Sequence, residues 1–240
     1  ASPALAQTAA EVDDDAIIVT AQRRAEMLEH VPMTVNVVTS ESLAANNINN
    51  MRELANVTSG YTMNAGGGIP QPAIRGITTV INGNFENNVA LYVDGLYQPW
   101  AHALNVDLPN LDSIQILKGP QGTLYGRNST GGALLLTTIT PGDVWQGKAE
   151  ATYAKYNDIR VNGYVAGPIN DRIGISIGGY FRDSDGYMKL ASRTTPGATK
   201  GHATPIRQDD MRAKVKGQLT DALTATLAYS YTHIKDSRSN

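Results

Sequence analysis

The stretch Leu117–Gly132, with the sequence LKGPQGTLYGRNSTGG, decides the fold of this chain. It places five glycines and one proline between two strand-like segments, Ser113–Leu117 and Ala133–Thr138. Glycines at this density indicate a backbone that turns tightly or approaches another surface closely, which side chains would prevent. A phosphate-binding loop is the first alternative. However, no glycine here is followed by Lys-Ser or Lys-Thr, and no helix is predicted directly behind the run.

Composition indicates a β-rich protein and gives no case for nucleic acid as a partner. The net charge of the 240 residues is −2, whereas nucleic-acid binding calls for a basic patch or stripe. The chain has 23 glycines and 11 tyrosines but only two phenylalanines, which is typical of strands joined by many turns. It has no cysteine, which excludes disulfides and thiolate metal sites.

The sequence predicts no transmembrane helix, because no window holds about 18 consecutive apolar residues. A soluble β protein and a β-barrel, whose signal per segment is weaker, both stay open. At the N-terminus, Ala4-Leu5-Ala6 before Gln7 resembles the end of a secretory signal. We interpret residues 1–6 as the tail of an export signal, with a disordered Ala-rich leader as the alternative.

The second half of the chain, residues 147–235, alternates apolar and polar residues with the period of a β-strand. In Met211–Leu219, for example, Arg212, Lys214 and Lys216 lie on the face opposite Met211 and Val215. Strands of about 9–11 residues suit a tilted membrane-spanning strand. The five predicted strands are Lys148–Tyr156, Ile159–Ala166, Ile173–Arg182, Met211–Leu219 and Leu223–Thr232.

The connections between these strands favour a barrel over a soluble β-sandwich, which shows the same alternation. Gly167–Asp171 and Thr220–Ala222 are short, whereas Asp183–Asp210 is long and polar, as in barrels with short periplasmic turns and long outer loops. The three cations on one face of the predicted strand Met211–Leu219 also suit the water-filled lumen of a barrel. Five strands cannot close a barrel, so we expect most of it to lie beyond residue 240.

The first half predicts a small α+β domain. Met33–Val38 alternates like a strand, and Ser40 is placed to cap a short helix through Ala45. Asn50 and Glu53 form a second, capping-box-like start. Asp94-Gly95 is a strong short-hairpin signal. The remaining predicted elements are a flexible loop at Gly66–Gly68, strand Val89–Val93 with Leu96–Gln98 returning, and strands Ser113–Leu117 and Ala133–Thr138.

Four motifs in this half resemble, in the same order, those of the plug domain of TonB-dependent outer-membrane receptors. They are Val31–Val35, Ile74–Gly76, Leu91–Gly95 and the Gly-rich run Leu117–Gly132, and the resemblance covers roughly residues 15–140. The plug-motif residues that we single out are Arg75, Gly76, Asp94, Gly95, Lys118, Gly119, Pro120, Tyr125, Gly126, Arg127, Gly131 and Gly132.

The resemblance implies an α+β plug domain followed by the first antiparallel strands of a transmembrane barrel of about 22 strands, whose lumen the plug fills. We expect a leader at residues 1–12, an energy-coupling segment at 13–24, the plug at 25–142 and about five barrel strands at 143–240. The protein would lie in the outer membrane, in contact with its lipid, with its N-terminus in the periplasm. One departure is Gln115, where the family usually has Glu; Asp112 lies on the other strand face and cannot replace it.

Near the N-terminus, residues 13–22 resemble the TonB box through which a periplasmic TonB-type energy transducer pulls on such receptors. Three aspartates precede β-branched residues, which favour extended backbone. A free extended strand can add to a partner's sheet edge through main-chain hydrogen bonds. An ordinary edge strand of the plug is the alternative. The predicted box comprises Asp15, Ala16, Ile17, Ile18, Val19, Thr20 and Ala21.

The outer loops of the plug should be 64–71, 79–88 and 98–105, where amides and aromatic rings suit a polar small-molecule substrate with a flat surface. The candidate substrate residues are Asn82, Asn84, Phe85, Trp100 and His102. The four histidines are scattered, so no metal site and no cofactor are predicted. An iron complex of the siderophore type would be recognised through its chelator, and carbohydrates, corrinoids and aromatic compounds stay open as cargo.

Two other classes of protein are weighed against an energised importer. A hydrolase using Ser113 or Ser129 lacks the G-x-S-x-G motif, so no enzymatic activity is predicted. A passive pore or surface-binding β protein would have no use for the strand Ile17–Ala21. Deletion of residues 13–22 distinguishes the two: transport is lost if the protein is an energised importer and is kept if it is a passive pore.

Overall fold

The computed structural model describes residues 18–19, 26–27, 33–66, 69–78, 88–99, 109–191, 199–203 and 205–236. The chain forms two compact units. Unit 1 comprises Ala1–Val106 with Ser113–Leu136, and unit 2 comprises Asp107–Asp112 with Thr137–Asn240. A search of the described ranges for helices finds none that is long and apolar enough to span a membrane.

The described elements follow one another as short strands and helices first and long strands later. In chain order they are β1 Ile18–Val19, β2 Glu26–Met27, β3 Val35–Thr39, α1 Ser40–Ala45, a 3-10 helix Glu53–Asn56, β4 Tyr61–Gly66, β5 Ile69–Ile74, β6 Ile77–Thr78, β7 Val89–Val93, β8 Leu96–Tyr97, β9 Leu111–Lys118, α2 Gly122–Tyr125, β10 Gly132–Thr138, β11 Gln146–Ala154, β12 Asp158–Asn170, β13 Ile173–Ser184, β14 Met188–Ala191, β15 Thr199–Ala203, β16 Ile206–Thr220 and β17 Leu223–Asp236.

A mixed five-stranded sheet forms the centre of unit 1, with strand order β3-β9-β10-β7-β8. β7 and β10 run parallel, with Ala90 opposite Ala133 and Tyr92 opposite Leu135. β3 lies antiparallel to β9, and β7 antiparallel to β8. A second sheet, β4-β5-β6, belongs to the same unit. The strands predicted at 89–93, 113–117 and 133–138 are thus confirmed, each within two residues.

The core of the central sheet is built on Tyr92, Tyr125 and Leu117. The ring of Tyr92 meets that of Tyr125 edge-on at 5.1 Å and tilts against Tyr97 at 5.5 Å. Its hydroxyl donates to the carbonyl oxygen of Tyr125, so the polar tip of a buried ring is satisfied. Around these rings pack Ala90, Ala133 and Leu135, with Met33, Val35, Val37 and Leu124 partly buried at the edge.

The two predicted helix starts are close to the observed ones but differ in the capping residue. α1 is capped by Thr39, whose hydroxyl oxygen accepts from the Ser42 amide at 3.4 Å, so the prediction of Ser40 as the cap is wrong. Ser40 is instead the first helical residue, because β3 continues directly into the helix. At the second start, Asn50 Oδ1 accepts from the amides of Arg52 and Glu53 at 3.1 Å, but Glu53 Oε2 accepts from the amide of Asn49 rather than that of Asn50. The 3-10 helix then begins at Glu53 with Arg52 as its cap, so the predicted start at Met51 is two residues early.

The main sheet of unit 2 is antiparallel, with strand order β11-β12-β13-β16-β17. All five predicted strands are present, but four of them are longer than predicted, at 12 to 15 residues. β12 continues to Asn170, so the predicted turn Gly167–Asp171 shrinks to Asp171-Arg172. The segment Asp183–Asp210 is wrongly predicted as a loop throughout, because β14 and β15 pair there as a separate hairpin.

The two faces of this sheet differ in chemistry as the alternation predicts. One face leaves large apolar side chains exposed along four neighbouring strands, among them Val161, Val165, Ile173, Ile177, Met211, Val215, Leu219, Leu223, Leu227, Tyr229 and Tyr231. The other face buries polar side chains, including Ser176, Gln208, Asp210 and Lys214. Trp145 lies on the apolar side, where its ring covers Gly167 and a Cβ on that glycine would collide with it.

Candidate functional site

The Gly-rich run folds back on itself as a closed loop between β9 and β10. The amide of Gly119 donates to the carbonyl of Gly131 at 3.1 Å, and that of Gln121 to the carbonyl of Ser129 at 2.9 Å. Inside the loop lies the four-residue helix α2, which the sequence did not predict. Its last residue, Tyr125, is buried in the core, so this single helical turn places an aromatic side chain among the core residues.

Three glycines of the run are required by its backbone. Gly119 and Gly126 have φ of +99° and +75°, values that residues with a side chain rarely adopt. Gly132 has φ of +145°, and a Cβ at this position would collide with the carbonyl oxygen of Leu117. Close approach of β9 and β10 at the neck of the loop therefore depends on glycine.

Arg75 joins two other motifs to this loop. Arg75 and Gly76 both have positive φ, +51° and +79°, and the Arg75 amide donates to the carbonyl of Gly60 at 2.8 Å. The guanidinium then reaches Thr34, where Nη2 donates to the hydroxyl at 3.1 Å. The opening motif, the Arg-Gly element and the Gly-rich run thus meet, since Lys118 also donates its amide to the carbonyl of Thr34 at 3.0 Å.

Lys118 and Arg75 make the meeting point positively charged. Desolvation lowers the pKa of the buried Lys118 amine, and the nearby Arg75 charge lowers that pKa further. Two cations held close together favour the approach of an anionic group. Pro120 and Arg127 of the same motif lie in the exposed part of the loop.

The hairpin motif is tied to the other end of the run. Asp94 and Gly95 both have positive φ, +49° and +80°, as a tight primed turn requires. The amide of Gly131 donates to the carbonyl of Asn88 at 2.8 Å, and Asn128 Nδ2 donates to the Tyr97 hydroxyl at 2.8 Å. All four sequence motifs are therefore brought together around one loop.

Gln115 is buried in the middle of β9, at 3% exposure, opposite Val37 of β3. Asp112 is exposed and three residues away along the same strand, so it points to the other face as expected. A neutral amide thus occupies a buried position where a carboxylate would require a compensating cation.

Only part of the predicted energy-coupling segment lies within the described residues. Ile18–Val19 forms β1 and pairs antiparallel with Glu26–Met27, with Ile18 opposite Met27. Asp15, Ala16, Ile17, Thr20 and Ala21 lie outside the described residues, as do residues 1–6. The backbone of the box is thus extended where it is described, and its assignment stays a prediction.

The five candidate substrate residues all lie outside the described ranges. They are Asn82, Asn84, Phe85, Trp100 and His102. At the edge of one of these loops, Asn88 is described, and its Nδ2 donates to the carbonyl of Thr78 at 2.8 Å. The role of these loops in substrate binding stays a prediction.

Two carboxylates on the polar face of unit 2 were not singled out from the sequence. Asp158 accepts from both Arg160 and Arg182, with the closest pairs at 2.8 and 2.9 Å. Asp210 pairs with Arg212 at 3.1 Å and accepts from the Thr232 hydroxyl at 2.6 Å. The strand alternation places these residues on one face, but only the pairing register shows that Asp158 lies between two arginines from neighbouring strands.

We expect Asp158→Asn to destabilise the sheet of unit 2 by about 2 kcal/mol, because it leaves two partly buried guanidinium groups without their shared carboxylate. Amide hydrogen exchange of β12 and β13 in the full-length receptor measures this as a loss of protection. Glu150→Gln is the matched control, since the Lys148–Glu150 pair at 2.9 Å is about half exposed and worth little. Equal effects of the two substitutions would contradict the prediction.

The described residues show no arrangement for catalysis or metal binding. Ser129 donates its hydroxyl to the Gly126 carbonyl at 2.6 Å, which is a structural turn contact rather than activation by a base. Among the side chains that the structure describes, no group of three or more His, Asp or Glu could hold a metal ion. The chemistry of the site is therefore that of a tightly folded loop with two cations at its neck.

Comparison with known proteins agrees with this geometry. Residues 28–133 match the family model of the TonB-dependent Receptor Plug Domain. The iron-regulated outer membrane virulence protein of Vibrio cholerae is 23% identical over 236 residues, which cover 90% of this chain and 35% of that protein. The pesticin receptor of Yersinia pestis is 27% identical over 175 residues, covering 70% and 25%.

A solved structure gives the same result for the fold. The ferric yersiniabactin uptake receptor of Yersinia pestis superposes with a TM-score of 0.73 at 24% identity, over 84% of this chain and 32% of that one. The chain spans about a third of the length of the relatives it matches. The family consists of transport receptors and not of enzymes. Residues 28–133 therefore match the plug domain of TonB-dependent receptors, and the antiparallel strands that follow have the fold seen in the outer-membrane receptors to which the chain is similar.

Proposed function

We propose that the protein imports a scarce, large substrate across the outer membrane by movement of its plug, driven by a TonB-type energy transducer in the periplasm. The observation that carries this proposal is the closed loop of unit 1, which brings all four plug motifs together. The second support is the sheet of unit 2, with one exposed apolar face and one polar face on which several side chains are buried. A strand with these two faces suits a wall between lipid and an aqueous lumen.

The plug supplies the reason for energy coupling. A barrel of about 22 strands encloses a lumen wide enough to leak small solutes unless a domain fills it. A filled lumen in turn blocks the substrate until part of the plug moves. We therefore assign the plug two roles: a seal at rest and a movable element during import.

The extended segment around Ile18–Val19 is the element through which force would reach the plug. Its described backbone is a strand, and a strand can add to the sheet edge of a transducer through main-chain hydrogen bonds. Within the described residues, its pairing with Glu26–Met27 covers two residues on each strand, and a pairing of that length takes little to break before a partner strand replaces it.

An iron chelate of the siderophore type is the substrate class that we propose. The solved relative is named as a ferric yersiniabactin uptake receptor, and a Vibrio vulnificus relative, 22% identical, is named as a vitamin B12 transporter. The first name gives a ferric compound as the imported substrate, and the second gives vitamin B12. The amides and aromatic rings predicted for the plug's outer loops suit recognition of the organic chelator rather than of the metal.

Uptake by cells that lack the complete protein tests this proposal. We expect such cells to lose import of one iron chelate from a panel of radiolabelled ferric siderophores and cobalamin, and to regain it when the gene is restored. Uptake of all tested compounds at the level of the parent strain would contradict the proposed substrate class.

Removal of residues 13–22 from the full-length protein tests energy coupling separately. We expect import to stop, while binding of the substrate to the cell surface continues, because the binding loops lie outside the removed segment. A passive pore is the alternative function, and import that continues at the original rate after the deletion would establish it.

A further inference from the structure

Two arginines stand directly opposite each other on the polar face of the main sheet of unit 2. Arg160 of β12 pairs with Arg182 of β13 in the antiparallel register. Like charges in directly opposed positions of two strands repel each other and weaken the sheet. Both side chains are also partly withdrawn from water, at 26% and 18% exposure, which strengthens the repulsion. The sheet would be more stable without this pair, so we looked for a role in binding.

Asp158 orients the two guanidinium groups but offsets only one of their charges. Its Oδ1 accepts from Nε of both arginines at 3.1 Å, and its Oδ2 accepts from Nη2 of both, at 2.8 and 2.9 Å. The three side chains together therefore carry one net positive charge. Each planar guanidinium has more N–H donors than the two that Asp158 accepts. The result is a fixed, positively charged donor surface, which suits the oxygen atoms of an anion.

The next row of the same face adds an amide and an aromatic ring. Asn162 stands opposite Tyr180, each two residues along its strand from one of the arginines. Both residues are half-buried, and Asn162 Oδ1 is enclosed without a hydrogen-bond partner among the described residues. An enclosed acceptor requires a donor, and a hydroxyl or amide group of a bound molecule supplies one. The Tyr180 ring offers a flat apolar surface beside the two cations.

The neighbouring strand extends the positive charge of this face. In the register with β13, the polar face of β16 carries the cations Arg212, Lys214 and Lys216 and the carboxylate Asp210. Across β12, β13 and β16 the described face thus holds five cations and two carboxylates. A wall with such an excess of positive charge, beside a space of low dielectric constant, raises the local concentration of anions.

The two arginines lie near the end of the sheet at which the longer connections are found. Asp158 begins β12, and Arg182 precedes the end of β13 at Ser184 by two residues. The short turns at 171–172 and 221–222 lie at the other end of the sheet, which faces the periplasm in barrels of this kind. Under the proposed function, an incoming substrate therefore meets the arginine pair from the outer side.

We propose that Arg160 and Arg182 bind an anionic oxygen group of the substrate, and that the imported iron chelate carries net negative charge. This inference rests on the proposed function, because it takes the polar face as the wall of the import path. The guanidinium pair binds a carboxylate or catecholate oxygen of the chelator. Asn162 accepts from a hydroxyl or amide group of the same molecule, and the Tyr180 ring packs against its flat part. Neutral and cationic chelates gain no such binding from this wall.

Equilibrium binding to outer-membrane vesicles that contain the full-length receptor tests the charge preference. The probes are radiolabelled ferric chelates sorted by net charge: anionic catecholates and carboxylates, neutral hydroxamates, and hydroxamates with a free amine, which are cationic. We expect the tightest chelate to be anionic and to bind at least about 30-fold more tightly than any neutral or cationic one. Its affinity should fall as the salt concentration rises. Tightest binding of a neutral or cationic chelate overturns the proposal.

Variants of the arginines locate the site. Arg182→Gln should lower the affinity for the tightest anionic chelate by about tenfold, and Arg160→Gln with Arg182→Gln by about 100-fold. Lys216→Gln is the matched control, because it removes the same charge from the same face, opposite Gly174 near the short-turn end. The control should change the affinity by less than about threefold. Equal losses in Arg182→Gln and Lys216→Gln, or no loss in the double variant, overturn the assignment.

If the double variant does not assemble, Arg182→Lys serves instead, since lysine keeps the charge beside Asp158 but lacks the planar fork. A loss of affinity of about tenfold is again expected, and an unchanged affinity counts against the pair. Binding needs no transducer, so the two proposals fail separately. A preference for neutral chelates would overturn the anion site and leave energised import standing. Import that continues after deletion of residues 13–22 would overturn energised import and leave the anion site standing.

Discussion

We expect Ile18→Pro to reduce substrate uptake to the level of cells without the receptor, a loss of about 100-fold or more, while surface binding of the substrate is unchanged. Proline has no amide hydrogen and fixes φ, so it removes a donor from the strand that a transducer would pair with. Strand addition depends on main-chain hydrogen bonds rather than on particular side chains. The change therefore acts on coupling and not on the binding loops.

Ile18→Val is the matched control, because valine keeps both the amide and the β-branched preference for extended backbone. Its uptake should equal that of the unmodified receptor. Transport of radiolabelled substrate and binding at low temperature are measured on the same cells. Normal uptake by the proline variant would show that the segment around Ile18 is not the coupling strand.

Gly132→Ala should be the most damaging single-methyl change within the plug. The added Cβ collides with the backbone oxygen of Leu117, and φ of +145° is unfavourable for alanine, so β9 and β10 have to separate at the centre of the sheet. We expect a destabilisation of about 4 kcal/mol, near the upper end for single substitutions. Amide exchange along β10 in the full-length receptor should accelerate by about 1,000-fold.

Gly122→Ala provides the comparison, since this glycine lies in the same run, in α2, with no atom within 4 Å of a built Cβ. Alanine favours helix there, so protection should stay equal or rise slightly. Similar exchange rates for the two alanine variants would mean that the neck of the loop tolerates a side chain.

Strand periodicity and turn residues were sufficient to predict the elements that depend on neighbouring residues in the sequence. Alternation placed all five strands of the antiparallel sheet and assigned Lys214 to its polar face, because a period of two residues follows directly from strand geometry. The Asp94-Gly95 turn was likewise predicted from two residues that accept positive φ. The four plug motifs were found in the right order, and the structure brings them together.

Prediction failed where partners distant in sequence decide the outcome. β14 and β15 form a hairpin in a segment judged polar and loop-like, since polar residues pair as strands when a neighbouring strand supplies the hydrogen bonds. The parallel pairing of β7 with β10 has no short-range signal. The bridging of Arg160 and Arg182 by Asp158 depends on the register between β12 and β13, which alternation leaves undetermined.

The strand order of the plug sheet also bears on how the protein reaches its destination. Val35 of β3 pairs with Leu117 of β9, about eighty residues later. β7 likewise needs β10, which follows it in the chain, as its neighbour on the side toward the centre of the sheet. Sheets closed by such distant partners form slowly, because loop entropy must be lost before any pairing is gained. The central sheet of unit 1 therefore cannot close until β9 and β10 have been made, and such a delay is compatible with threading through an export channel before assembly begins.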